Sequence, residues 1–176
     1  MKDMEWTFID KTDWLDGPWK NEVDKKQWTD TRTGFPCLIR RNTFGVLCGY
    51  VAIGPEHPLF MKDYDSCAHL FDVHGGVTFS SFCAEDEDDP SAICHIVEPG
   101  DPDRVWWLGF HCANGFDYAP ALTMSAAVAM LHSTRLESYR DFAYVTSECL
   151  SLARQLKEVG AWDAKILEGA LRYDNE

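Results

Sequence analysis

The chain has 176 residues, enough for one domain with a sizeable core, and its 45% apolar and 26% charged content is that of an ordinary globular protein. Sixteen Lys and Arg against 29 Asp and Glu leave a net charge of −13. A field of that sign repels phosphate backbones, which disfavours nucleic acid as a partner and suits docking on a basic protein surface. Seven Cys without a close CxxC pair, after a polar and acidic start (MKDMEWTFID), predict no signal peptide, a reducing cytoplasm and free thiols rather than a disulfide scaffold. The longest apolar stretch, Ala119 to Leu131, is too short to span a bilayer, so no membrane partner is expected.

Residues 1–35 carry Trp6, Trp14, Trp19 and Trp28 between charged residues and read as an N-terminal wrap anchored by its rings. Glu22 to Trp28 suits a short helix, and Trp19 or Trp28 is a candidate to stack on a ligand. Cys37–Arg41 and Phe44–Ile53 predict a β-hairpin. On its second strand Phe44, Val46, Cys48, Tyr50 and Ala52 share one face; Gly45, Leu47, Gly49, Val51 and Ile53 share the other, and the spacing of the glycines leaves room for a close backbone or a ligand. His69–His74 and Val77–Phe82 suggest a second hairpin around Gly75-Gly76. The acidic run Glu85–Asp89 is a solvated loop, Ala92–Val97 a strand, and Arg104–Cys112 another strand after the turn at Pro99–Asp103.

That last strand puts Trp106, Leu108, Phe110 and Cys112 toward the core and Val105, Trp107, Gly109 and His111 on the opposite side. From Ala121 the period becomes helical: Ala121–Leu131, then Leu136–Val159 with a stripe of Tyr139, Phe142, Ala143, Thr146, Cys149, Leu150, Ala153 and Leu156, closed by Gly160, and a short helix over Trp162–Tyr173. Strands first and helices later predict an α+β domain spanning residues 1–176. Its antiparallel sheet of about five to six strands would cover 36–117 and pack against a long C-terminal helix within 119–173.

Three constellations could carry chemistry. His74, Cys83, Cys94, His95, His111, Cys112 and Asp117 are metal-ligand types, but no spacing matches a zinc pattern and the adjacent Cys94 and His95 should not readily reach one ion, so no metal or other cofactor is expected. His74 or His111 beside Asp72 or Asp117 would give a base with an orienting carboxylate. A stacking site could combine Trp107 with Tyr50 or Trp19, beside Arg40 or Arg41 and the Gly75-Gly76 amides; the aromatic face and the cations together would hold a base and a phosphate. For each histidine the competing reading is a hydrogen-bonded residue without a catalytic role, and for the tryptophans it is plain core packing.

The ordered set GPWKNEVDKKQW, GFPCLIRR, CGYVAIG, VHGGVTF, ICH, WWLGFHCANGFD and YRDFAYVTSEC resembles a family of uncharacterised small proteins of bacteriophages and bacteria. The likeness covers roughly residues 17–156 apart from an additional piece near 120–136. The resemblance implies Asp where His111 stands and His where Asn114 stands, so a polar trio with Asp117 is altered here, which weakens a catalytic reading more than a binding one. The leading expectation is therefore a phage-type accessory protein, in the host cytoplasm if phage-encoded, that binds a small nucleotide-like ligand through Arg40, Arg41, His74, Gly75, Gly76, Trp107, His111 and Asn114 and sequesters a host defence signal. The alternatives are a phosphodiesterase-like hydrolase with His74, His111 and Asp117 as its catalytic set, and an acidic inhibitor of a host protein. Homo-oligomerisation is left open.

Overall fold

The alternating pattern over residues 36–53 folds as two antiparallel strands at the centre of a six-stranded sheet. The computed structural model describes residues 1–83, 91–102, 104–123, 137–162 and 164–171. Its strands are β1 (Met4–Trp6), β2 (Lys25–Thr29), β3 (Pro36–Arg41), β4 (Leu47–Ile53), β5 (Phe79–Ser81) and β6 (Trp106–His111). They lie in the order β1-β2-β3-β4-β6-β5, antiparallel at every junction. Helix α1 (Phe142–Gly160) packs across β3 and β4, and α2 (Ala164–Leu171) follows it. The fold is α+β, as expected from sequence. Among the described residues no helix is long and apolar enough to cross a membrane.

Strand alternation divides the core in two. Cys37, Ile39, Leu47, Val51, Ile53, Trp106, Leu108, Phe110 and Cys112 face α1, where they meet Val145, Cys149, Leu152, Ala153, Leu156 and Val159. Leu38, Cys48, Tyr50, Ala52, Val105 and Trp107 form a smaller cluster on the other face. The expected gap at Gly49 is filled rather than open: a Cβ there would collide with the Phe110 ring and the Cys149 sulfur.

Three local expectations about strands and turns change. Lys25–Thr29 is a strand where a helix over Glu22–Trp28 was expected, because it pairs along its whole length with β3. No hairpin forms around Gly75-Gly76. Both glycines do take positive φ, at 68° and 81°, but Ala68–Leu70 is a 3-10 turn and β5 pairs with β6. Ala92–Val97 is not a strand: its contacts to β2 run through side chains, with Lys25 Nζ donating to the Ala92 carbonyl and Gln27 meeting both backbone groups of Ile96.

The long helix starts at Phe142 rather than Leu136, capped by Asp141, whose carboxylate accepts from the Tyr144 amide at 2.8 Å. Cys149, Ala153 and Leu156 of the expected stripe are buried, joined by Val145, Leu152 and Val159, while Leu150 is left 40% exposed. The acidic run Glu85–Asp89 and most of the helix expected over Ala121–Leu131 lie outside the described residues.

Residues 1–35, expected only to wrap a sheet confined to 36–117, contribute β1 and β2 to that sheet and are held by charge as well as by rings. Asp24, fully buried, accepts from the amides of Phe8 and Ile9 and pairs with Lys11 and Arg41. Arg41 also meets Glu22, the Tyr139 hydroxyl and the Gly45 carbonyl. Burial pushes the Asp24 carboxyl up, but Lys11 and the two amides outweigh it and hold the group below its ordinary value.

Candidate groove and histidine–aspartate site

The sheet face away from α1 carries three cross-strand rows. Arg40, Cys48 and His111 form one; Leu38, Tyr50, Gly109 and Phe79 form the next; Ala52, Trp107 and Ser81 form the third. The chain around residues 91–97 lies over Trp107 in the third row and meets Lys25 and Gln27 at the β2 end of the first two, leaving the Arg40–Cys48–His111 stretch beside a groove. The groove, of about 360 Å³, is lined by Arg40, Tyr50, Phe79 and His111, with Phe44 and Thr78 beside them.

Arg40 belongs to this groove and Arg41 does not, because adjacent strand residues point to opposite faces. The Arg40 Nε–H is buried without an acceptor, an arrangement that costs about 1–3 kcal/mol when nothing fills it. His111 accepts from the Ala113 amide through Nδ1 at 3.3 Å. Tyr50 lies edge-on to Phe79, with centroids 5.3 Å apart, and its ring covers the glycine gap that sequence placed at Gly109. Phe44, half exposed, contributes an apolar rim. Burial raises the Tyr50 hydroxyl, so it stays a neutral hydrogen-bonding group at physiological pH.

Trp107 shares this face as predicted but is completely covered, with His95 edge-on to it at 5.5 Å and its own indole N–H buried without an acceptor. Of the other tryptophans considered for stacking, Trp19 lies on Tyr118 at 5.0 Å and Trp28 is buried in the core cluster. None of the three lines the groove.

His74 and Asp117 form a second, separate cluster. His74 Nε2 donates to Asp117 Oδ2 at 2.7 Å, while Nδ1 faces the Tyr144 hydroxyl at 3.0 Å. Asp117 also receives Arg140 Nε through Oδ1 and the Asn114 amide through Oδ2, both at 2.9 Å. Burial raises this carboxyl, but the His74, Arg140 and Asn114 hydrogen bonds together hold it below the ordinary value. Arg140 in turn lies over the Tyr144 ring at 4.8 Å.

Gly75 packs against this cluster, and the Gly76 amide is engaged within the fold. A side chain at Gly75 would collide with Asn114 Nδ2. The Gly76 amide is taken by the Val73 carbonyl, and the anion at this turn is the protein's own Glu148, which accepts from the His74 amide at 2.7 Å.

Of the residues selected from sequence, Arg40 and His111 meet in the groove, and His74, Gly75, Asn114 and Asp117 meet in the histidine–aspartate cluster. The loop after β6 links the two sites, since Ala113 lines the groove and Asn114 holds both Asp117 and the His111 carbonyl. His111 contributes no ring contact to the cluster. Arg140 and Tyr144 were missed, although their spacing of four at a helix start was visible; nothing in the sequence pointed to Phe79 or Thr78, which reach the groove through a three-residue strand.

The cysteines divide unequally. Cys83 and Cys94 are joined in a disulfide, against the expectation of free thiols throughout, while Cys37, Cys48, Cys67, Cys112 and Cys149 are free and buried. Burial pushes the Cys37 thiol up to about 12, which makes it inert as a nucleophile. Cys83, Cys94 and His95 also bring their ligand atoms within 4.8 Å of one another. Adjacent Cys94 and His95 can converge in this way because their segment is not a strand, so the alternation that would separate them does not apply. Comparison with family models, curated proteins and solved structures found no match.

Proposed function

We propose that this chain is a phage-type accessory protein that holds a small, nucleotide-like anion in the groove between Arg40 and His111, and that it sequesters a host defence signal without converting it. The observation that carries this reading is the Arg40 guanidinium, whose Nε–H is buried and has no acceptor among the described residues. An anionic group at that point would supply the missing acceptor through a charge-assisted hydrogen bond. Phe44, Phe79 and Tyr50 provide the apolar and aromatic lining that a base needs, and His111 supplies a second polar contact.

The hydrolase alternative draws support from the His74–Asp117 pair. It is weakened by the occupancy of that pair, since both ring nitrogens of His74 are engaged, one by Asp117 and the other by Tyr144. Burial raises the Tyr144 hydroxyl, which makes it a poor proton donor or nucleophile at neutral pH. The acidic-inhibitor alternative rests on the net charge of −13 alone.

Incubation with cyclic dinucleotides and NAD-derived nucleotides, followed by denaturation and chromatography, separates these readings. Intact nucleotide released from the protein supports sequestration, and converted nucleotide supports the hydrolase. No bound nucleotide, together with salt-sensitive binding to a host protein, supports the inhibitor.

A further inference from the structure

Cys83, Cys94 and His95 have no part in the groove or in the histidine–aspartate cluster, yet they form the only group of metal-ligand side chains of this kind among the described residues. We propose that in the reduced protein these three side chains bind a single Zn(II) ion, and that the disulfide is the oxidised, metal-free form of the same site.

The orientation of His95 is the first argument. Its Nε2 lies 3.3 Å from the carbonyl oxygen of Pro102, which can only accept, so on the neutral ring Nε2 carries the hydrogen. The Nδ1 lone pair is then directed at Cys83, whose sulfur is 3.9 Å away. A ligating imidazole has this form: one nitrogen toward the metal, the other donating to a backbone carbonyl that fixes tautomer and ring plane.

The surroundings are also built to hold the ring. Trp107 packs edge-on against it, and His95 is 5% exposed. The Pro102 carbonyl is held by a loop in which Asp101 binds both the N-terminal ammonium of Met1 at 2.7 Å and the Glu98 amide at 3.0 Å. On the other side, Lys25 and Gln27 tie Ala92 and Ile96 to β2. Cys83 and Cys94 stand in irregular backbone, so the sulfurs can separate to thiolate–metal positions without disturbing the sheet ladder.

Two thiolates and an imidazole form the ligand set that borderline-soft Zn(II) prefers, with the fourth tetrahedral position left to water or an incoming donor. The chemistry closes without further reagents beyond a reductant. A dithiol reduces the Cys83–Cys94 bond, taking up the disulfide itself and leaving two protein thiols. Each thiol then releases its proton as its sulfur binds the cation.

The test uses the full chain, with Co(II) as a spectroscopic substitute for Zn(II). In the reduced protein, Co(II) should give a thiolate-to-metal absorption band at one ion per chain, displaced by Zn(II); the oxidised protein should give none. His95→Gln should weaken binding by more than the about 10–100-fold that loss of a supporting residue costs a metal site, with an unchanged circular dichroism spectrum. Absence of the band in reduced wild-type protein would overturn the proposal whatever the variants do. So would a band that survives in a folded C83S/C94S protein, which would assign the metal to the buried free thiols, or unchanged affinity in His95→Gln.

Discussion

Arg40 and His111 lie in one row of the sheet, on strands β3 and β6, with Cys48 of β4 the only residue between them. Two strand spacings put their backbones about 10 Å apart. That gap accommodates a phosphate reached from both sides by long side chains, and the Tyr50–Phe79 row runs directly alongside it. The binding account rests on this relationship, because it brings a cation, an imidazole and an aromatic surface to one groove on the sheet face.

Arg40 and Arg41 should respond to mutation in opposite ways. Arg40→Met removes a buried donor that has no acceptor, so stability should stay level or rise by about 1 kcal/mol, while nucleotide affinity falls by about ten- to a hundredfold. Arg41→Met strands Asp24 and Glu22 beside a vacated cation site and should cost about 3–5 kcal/mol. Urea unfolding of both variants, with calorimetry for Arg40→Met, checks the pair; equal destabilisation of the two would mean that Arg40 is structural.

Tyr144→Phe offers a cheap discrimination between binding and hydrolysis. It deletes one partly exposed hydrogen bond to His74 and should cost about 1 kcal/mol of stability without changing nucleotide affinity. If His74, Asp117 and Tyr144 worked as a catalytic relay, the same change would suppress nucleotide turnover severalfold or more, which chromatography would detect.

Acid should unfold the protein through its buried carboxylates. Asp24 and Asp117 both have folded values below the ordinary 3.8. The stability they contribute is therefore present above about 3.8, the value they regain when unfolded, and is lost as pH falls through that value toward their folded ones. Denaturation followed from pH 6 downward should show a steep loss starting near pH 4. In Asp117→Asn that slope should be shallower, starting from a lower stability at neutral pH.

Much of this arrangement was legible in the residues, and what was missed has physical causes. Alternation sorted the side chains of β4 and β6 correctly, so the sharing of one face by Tyr50, Trp107 and His111 could be read directly. Alternation cannot say what covers a face, however, and Trp107 is sealed by His95 and the residues around it, a contact between segments that carries no periodic signature. The turn at Gly75-Gly76 was legible from the glycine pair, but the pairing of β5 with β6 instead of with residues 69–74 is a long-range choice. Arg41 and Asp24 join across segments related only by the fold, and a fully buried ion pair has no sequence pattern of its own.

Gly75→Ala tests how the two sites are joined. The positive φ at this position and the contact with Asn114 both oppose a side chain, so the substitution should cost more than about 1 kcal/mol. By shifting Asn114 it should also loosen Asp117 and the His111 carbonyl. Amide chemical shifts from residues 111–117 would report this; a perturbation confined to residues 73–77 would mean that the groove and the histidine–aspartate cluster are independent.

The most direct test of the binding account is to release and identify what the folded protein retains. Wild-type protein and Arg40→Met are incubated with the nucleotide panel, separated from free ligand, denatured, and the supernatants chromatographed. The account predicts one nucleotide class recovered chemically intact from wild-type protein and depleted at least about tenfold from Arg40→Met. Converted nucleotide, or equal recovery from both proteins, would contradict it.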